Sequence, residues 1–169
     1  EMCIRDRSYY NFLPKAMLGY RLNENSFIRY DVEMSQTNPT LVELTDTEIR
    51  LDPYLAERGN LLLKPYSNLN NNLFYEHKKG LFTFNANLRH HYKHNPIMES
   101  VKEQGNIFLI IPENMKSWNK YNAEMNLKVG MIKNILQFSL TGGYNHFNSQ
   151  GNNYSHEYSN FYYLSLIHI

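Results

Sequence analysis

Hydrophobic and polar side chains alternate with a period of two through most of the chain, which marks strands with one greasy and one wet face. The cleanest run is 81–93, where Phe82, Phe84, Ala86, Leu88, His90 and Tyr92 oppose Thr83, Asn85, Asn87, Arg89, His91 and Lys93. Residues 26–36 behave alike, with Ile28, Tyr30, Val32 and Met34 set against Arg29, Asp31 and Glu33. The same alternation predicts strands at 13–22, 67–77, 118–130, 135–147 and 154–163. In 118–130, Tyr121, Ala123, Met125, Leu127 and Val129 oppose Asn122, Glu124, Asn126 and Lys128, and in 135–147 Leu136, Phe138, Leu140 and Tyr144 oppose Gln137, Ser139, Thr141 and Asn145.

The connections predict a topology. Tight turns are expected at Asn23-Glu24-Asn25, His77-Lys78-Lys79-Gly80 and Ile132-Lys133-Asn134, and longer loops at 37–65, 95–117 and 148–153. Within 95–117, Gln104-Gly105-Asn106 has the chemistry of a hairpin turn, with Ile107 to Ile111 as the returning strand. Leu51 to Pro65 holds Pro53, Gly59-Asn60 and Pro65, so it runs neither as a helix nor as one regular strand. A short–long order repeated along a meander is the asymmetry of a transmembrane barrel, with tight periplasmic turns and longer extracellular loops. Strands of about 9–11 residues suffice to cross a bilayer. The fold class is therefore all-β, an antiparallel meander of about seven strands forming part of a transmembrane outer-membrane barrel. Ile28, Tyr30, Val32, Phe82, Phe84, Leu88, Met125, Leu127, Val129, Phe138 and Leu140 are expected to face lipid. Arg29, Asp31, Glu33, Asn85, Asn87, Arg89, Asn122, Glu124, Asn126 and Lys128 are expected to line the lumen.

The stretch 52–65, Asp52-Pro53 followed by Arg58-Gly59-Asn60 and Leu63-Lys64-Pro65, and the Asn-rich strand after it, resemble the barrel segment of TonB-dependent receptors. Leu61 stands where that family prefers proline, while Asn38-Pro39-Thr40 resembles the family's approach to this loop. The resemblance covers roughly residues 10 to 163. It implies a receptor that binds a nutrient (siderophore, cobalamin, glycan or peptide) in its extracellular loops and imports it. The partners it implies are outer-membrane lipid, the small nutrient ligand, the TonB complex acting through an N-terminal plug that these residues do not contain, and a surface lipoprotein. Loops 37–65 and 95–117 are expected to face ligand, with Arg58, Asn60, Lys64, Tyr66 and Trp118 as binding residues. A soluble, secreted lectin-like sandwich and a non-transporting outer-membrane barrel are the alternatives that alternation leaves open.

Composition narrows the picture further. The net charge of +1 with scattered basic residues gives no electrostatic case for nucleic acid. No stretch reaches the apolar length of a membrane helix, a test that barrels escape. Fourteen Tyr and nine Phe suit strands and membrane interfaces. Tyr92, Trp118, Tyr121, Tyr144, Tyr154 and Tyr158 fall towards the loop ends of the strands, where a girdle is expected. Cys3 is the single cysteine, so no internal disulfide forms.

No catalytic motif, cofactor motif or metal-ligand spacing is present. His90 and His91 alternate across a strand and cannot share an ion, and His94 lies roughly 13 Å from His90 along it. Asp46, Glu48, Asp52 and Glu57 have no EF-hand spacing and are expected to be solvated loop carboxylates. The end segments 1–8 and 164–169 fit neither the alternation nor the surrounding composition. They resemble translated adapter sequence and are expected to be non-native, leaving 9–163 as the barrel wall.

Overall fold

The computed structural model describes residues 11–132, 136–152 and 154–168. The long alternating runs form seven strands of one antiparallel sheet, here called the wall. Its strands are β1 (Lys15–Asn23), β2 (Ser26–Thr37), β5 (Tyr66–Lys79), β6 (Phe82–His94), β9 (Ser117–Ile132), β10 (Leu136–Gln150) and β11 (Ser155–His168). They lie in the order β1-β2-β5-β6-β9-β10-β11, each beside its predecessor in the meander, with β1 and β11 as the open edges. From β2 to β11 the strands run 12 to 16 residues, enough to cross a bilayer at a tilt.

Register follows the alternation without slipping over the central strands. Asp31 lies opposite Asn72, Asn72 opposite Arg89, Arg89 opposite Asn122 and Asn122 opposite Asn145. One step along, Tyr30, Leu73, Leu88, Ala123, Tyr144 and Phe161 form a row on the other face. A one-residue slip would exchange the two faces, so the pattern itself fixes the pairing.

The two faces differ in packing. Apolar side chains on one stay open: Leu88 is 51% exposed, Met125 58%, Phe161 83% and Tyr163 87%. Polar side chains on the other crowd together, so that Asp31 Oδ1, Asn72 Oδ1, Asn85 Oδ1, Asn87 Oδ1 and Asn122 Oδ1 are shielded from solvent with no protein hydrogen-bond partner. A soluble sandwich would cover the apolar face with a second layer. Here, among the described residues, each wall strand contacts its sheet neighbours and no second sheet is stacked on them. The sandwich reading fails on this point.

The loops behave differently from the wall. Loop 37–65 contains a hairpin, β3 (Glu48–Arg50) and β4 (Leu55–Arg58), and loop 95–117 contains β7 (Ile97–Gln104) and β8 (Ile107–Asn114). The expected turn at Gly105 is present, with φ of 64° at that glycine. The β3–β4 hairpin was not visible in the alternation, because strands of three and four residues are too short to show a period. β4 and β8 pair in parallel, joining both hairpins into one four-stranded sheet in the order β3-β4-β8-β7.

Two other expectations change in detail. The third long loop, 148–153, begins as strand: Asn148, Ser149 and Gln150 pair with both neighbours of β10, and Gly151 N donates to Tyr154 O at 2.9 Å. Polar side chains at a strand end are compatible with pairing because the backbone alone makes the ladder. β11 continues through Leu164 and Leu166, which pair with Thr141 and Ser139. Lys133 and Asn134 of the expected tight turn, and the segment 1–8, lie outside the described residues.

Candidate functional site

Both long loops leave the same end of the wall, and the molecule's hydrophobic core lies in them rather than between wall strands. Among the described residues the buried apolar side chains are Ala56, Leu63, Leu109, Ile111 and Met115, all loop residues. Ala56 and Leu109 are direct partners across the parallel pair, and Ile111 packs against them.

Polar clamps hold this sheet to its roots. Asn60 Nδ2 donates to Pro112 O at 3.0 Å, while Asn60 Oδ1 accepts from Leu62 N at 2.9 Å. Asn114 works from the other loop: its Oδ1 accepts from Lys64 N at 2.8 Å, and its Nδ2 donates to Lys64 O and Asn95 O. Gly59 is required by a close approach. A Cβ there would stand 2.6 Å from Glu43 O and collide with Thr45 O as well. The Gly59-Asn60 pair that carries the family resemblance is thus the hinge at which the first loop folds onto the second.

The five expected binding residues separate into two groups. Asn60 is consumed by the clamp just described. Lys64 engages Asn114 through its backbone and leaves its side chain exposed. Arg58 faces Asp46, with Nε to Oδ1 at 3.7 Å, and lines a groove of about 690 Å³ with Val42, Glu57, Ile97, Glu99 and Ile110. Tyr66 and Trp118 sit elsewhere, on the polar face of the wall just below the loops, with Lys93 between them. Lys93 Nζ is 4.9 Å from the Trp118 ring centre and 5.9 Å from that of Tyr66.

Three of the four loop carboxylates are occupied locally. Asp52 Oδ1 caps Tyr54 N at 2.7 Å, Glu48 pairs with Arg50 at 3.9 Å, and Asp46 pairs with Arg58. No group of three metal-ligating side chains is gathered among the described residues. His90 stacks on Tyr121 at 4.4 Å on the apolar face, whereas His91 donates to Asn70 Oδ1 at 2.7 Å on the polar one.

Register also divides the expected aromatic girdle. Tyr92, Tyr121 and Tyr144 lie on the apolar face, where Tyr144 and His146 both bond Ser159 Oγ. Trp118 and Tyr158 point to the polar face instead. Tyr154 sits in the β10–β11 turn against Met115, its hydroxyl 3.6 Å from the sulfur. Tyr144 shares the mid-strand row of Leu88 and does not lie towards the loop end as expected, because pairing register sets its height in the wall. Assignment of each aromatic residue to lipid or lumen needed its parity.

An all-antiparallel meander with bilayer-length strands, an uncovered apolar face, a crowded polar face and its long loops at one end is the wall of an outer-membrane β-barrel. The matching family model agrees: the chain belongs to the outer membrane protein beta-barrel family, which it matches over residues 3–167. The outer membrane is its location. No curated protein matches it. Among solved structures it is similar to the siderophore receptor PirA from Pseudomonas aeruginosa, with a TM-score of 0.65 and 15% identity over 92% of this chain and 34% of that one. It is also similar to a mutant of the ferric enterobactin receptor PfeA from the same organism, with a TM-score of 0.59 and 15% identity over 89% of this chain and 27% of that one. The chain therefore spans about a third or less of these receptors' length.

Proposed function

We propose that this chain is a wall segment of a TonB-dependent receptor that imports a scarce nutrient, with loops 38–65 and 95–116 forming part of the extracellular ligand-capture surface. The observation that carries the reading is the sheet the two loops build together. Loops with their own core and side-chain clamps present a fixed surface, and ordering them beforehand lowers the entropy cost of binding. The likeness to siderophore receptors supports an importer over a barrel used only for adhesion or assembly. Directly below the loops, the polar face leads ligand along the inside of the wall. Outer-membrane lipid contacts the apolar face, and the TonB complex would act through a plug that these residues do not include.

The test is uptake by cells carrying the full-length gene. Growth on the limiting nutrient is expected to require both this gene and TonB. Growth that persists without TonB would overturn the importer reading and leave a non-transporting barrel.

A further inference from the structure

Resting on that importer reading and naming its ligand, we propose that β7 is a docking edge for a short cationic peptide, which binds as an added strand in a slot beside the β10–β11 turn.

The open backbone places the site. β7 ends the loop sheet, whose order is β3-β4-β8-β7. Phe108 N donates to Tyr54 O, towards β4, and Met115 N donates to Pro96 O, on the β7 side. Backbone groups alternate sides along a strand, so Leu109, Ile111 and Glu113 bond their partners Lys102, Ser100 and Met98. Ile97, Glu99, Val101 and Glu103 therefore turn their N–H and C=O groups to the free side, where no described residue pairs with them. A row of such groups is a template for another strand. The other edges differ. β3 has three residues, and β1 and β11 lie in the wall, where a closed barrel pairs every strand.

Space is present along this edge. A slot of about 400 Å³ is lined by the consecutive residues Met98 to Lys102, with Met115, Asn152 and Tyr154 among the rest of its lining. A run of neighbours from both faces means that the slot follows the strand's edge. At about 3.3 Å per residue, it takes about four residues of extended chain.

Charge selects the occupant. In a strand added here, the residues opposite Glu99, Val101 and Glu103 share one face with them. Glu99 and Glu103 form no ion pair among the described residues, whereas Lys102, on the other face, is matched by Glu113. Carboxylates without an ion pair also stand at Glu24, Glu57 and Glu76, but none of these is on an open edge of the loop sheet. Opposite charges facing each other across a strand pair are favourable and like charges are not. The edge therefore takes Lys or Arg opposite its two carboxylates and an apolar side chain opposite Val101, which is 63% exposed. Acidic strands are rejected.

The test uses the full-length receptor in detergent and three end-blocked probes. They are the peptide Lys-Ser-Val-Ser-Lys, its counterpart Glu-Ser-Val-Ser-Glu, and the lysine peptide methylated at every backbone nitrogen. Titrated to about 1 mM, only the first is expected to bind. Glu99→Gln with Glu103→Gln should weaken it about fivefold. Val101→Pro removes a backbone donor from the free side and none from the β7–β8 ladder, so binding should be lost while the Leu109 and Ile111 amides exchange as before. If those amides quicken, the glutamine variant and the methylated peptide decide. Equal binding of the methylated or acidic peptide, unchanged binding by the glutamine variant, or no binding of the lysine peptide would overturn the site. TonB-dependent growth that survives any of those results would leave the importer reading standing, so the two fail separately.

Discussion

At the scale of single residues, the close approach at Gly59 and the side-chain bonds of Asn60 hold the loop sheet together. Gly59 admits the backbone of residues 43–45 where any Cβ would collide. Gly59→Ala in the full-length protein is expected to open loop 38–65 to protease on intact cells while leaving the barrel's unfolding transition unchanged. The Asn60 side chain makes one bond as donor and one as acceptor, so Asn60→Asp keeps the acceptor and replaces the donor to Pro112 O with a carboxylate oxygen. That change should cost the loop sheet about 1–3 kcal/mol, because it leaves a carbonyl without its partner. Hydrogen exchange at the amides of Ala56 and Leu109 is expected to quicken accordingly. Both effects explain why Gly59-Asn60 was visible in the sequence as a motif before its task was known. What the sequence did not show was the clamp that Asn60 makes, since its partner Pro112 is 52 residues away.

At the scale of elements, the wall has its own mortise. Asn87, Glu124, Gly143 and Tyr162 form one luminal row across β6, β9, β10 and β11. Because Gly143 has no side chain, the Tyr162 ring lies across it to reach Glu124. Gly143→Val would lift that ring and is expected to destabilise the β10–β11 pairing by about 1–3 kcal/mol, the usual cost of overpacking. Tyr162→Phe keeps the ring and loses only the bond, so it should cost less than Gly143→Val in urea unfolding of the barrel in lipid. Strand positions in the wall were readable because each is long enough to show several periods. The β3–β4 hairpin was not, and its pairing with β8 joins residues far apart in sequence, where no local pattern reaches.

At the scale of the whole molecule, the faces and the ends of the wall give the topology. Leu88 sits mid-strand on the exposed apolar face, and its neighbour Asn87 sits on the crowded polar one. Lys placed at 88 should cost about 2–4 kcal/mol of stability in a bilayer, and Lys placed at 87 much less, because only the first is forced into hydrocarbon. The contrast should vanish in urea unfolding from a polar detergent micelle if lipid is the cause. Protease applied to intact cells is expected to reach the loops at 38–65 and 95–116 and to spare the turns at Glu24-Asn25 and Gly80-Leu81. The reverse cleavage pattern would invert the wall in the membrane.

Alternation alone determined that this chain forms bilayer-length strands with one apolar and one polar face, because a period of two is a local property of neighbouring residues. The fold class, the seven-stranded wall and the outer-membrane family all followed from that pattern and the Gly59-Asn60 loop. Tertiary structure decided the rest. It joined two loops into one sheet around Ala56, Leu109 and Ile111, divided the aromatic residues between lipid and lumen, and set Lys93 between Tyr66 and Trp118. Each of these depends on contacts between residues distant in sequence, which pairing register creates and no stretch of the chain contains by itself.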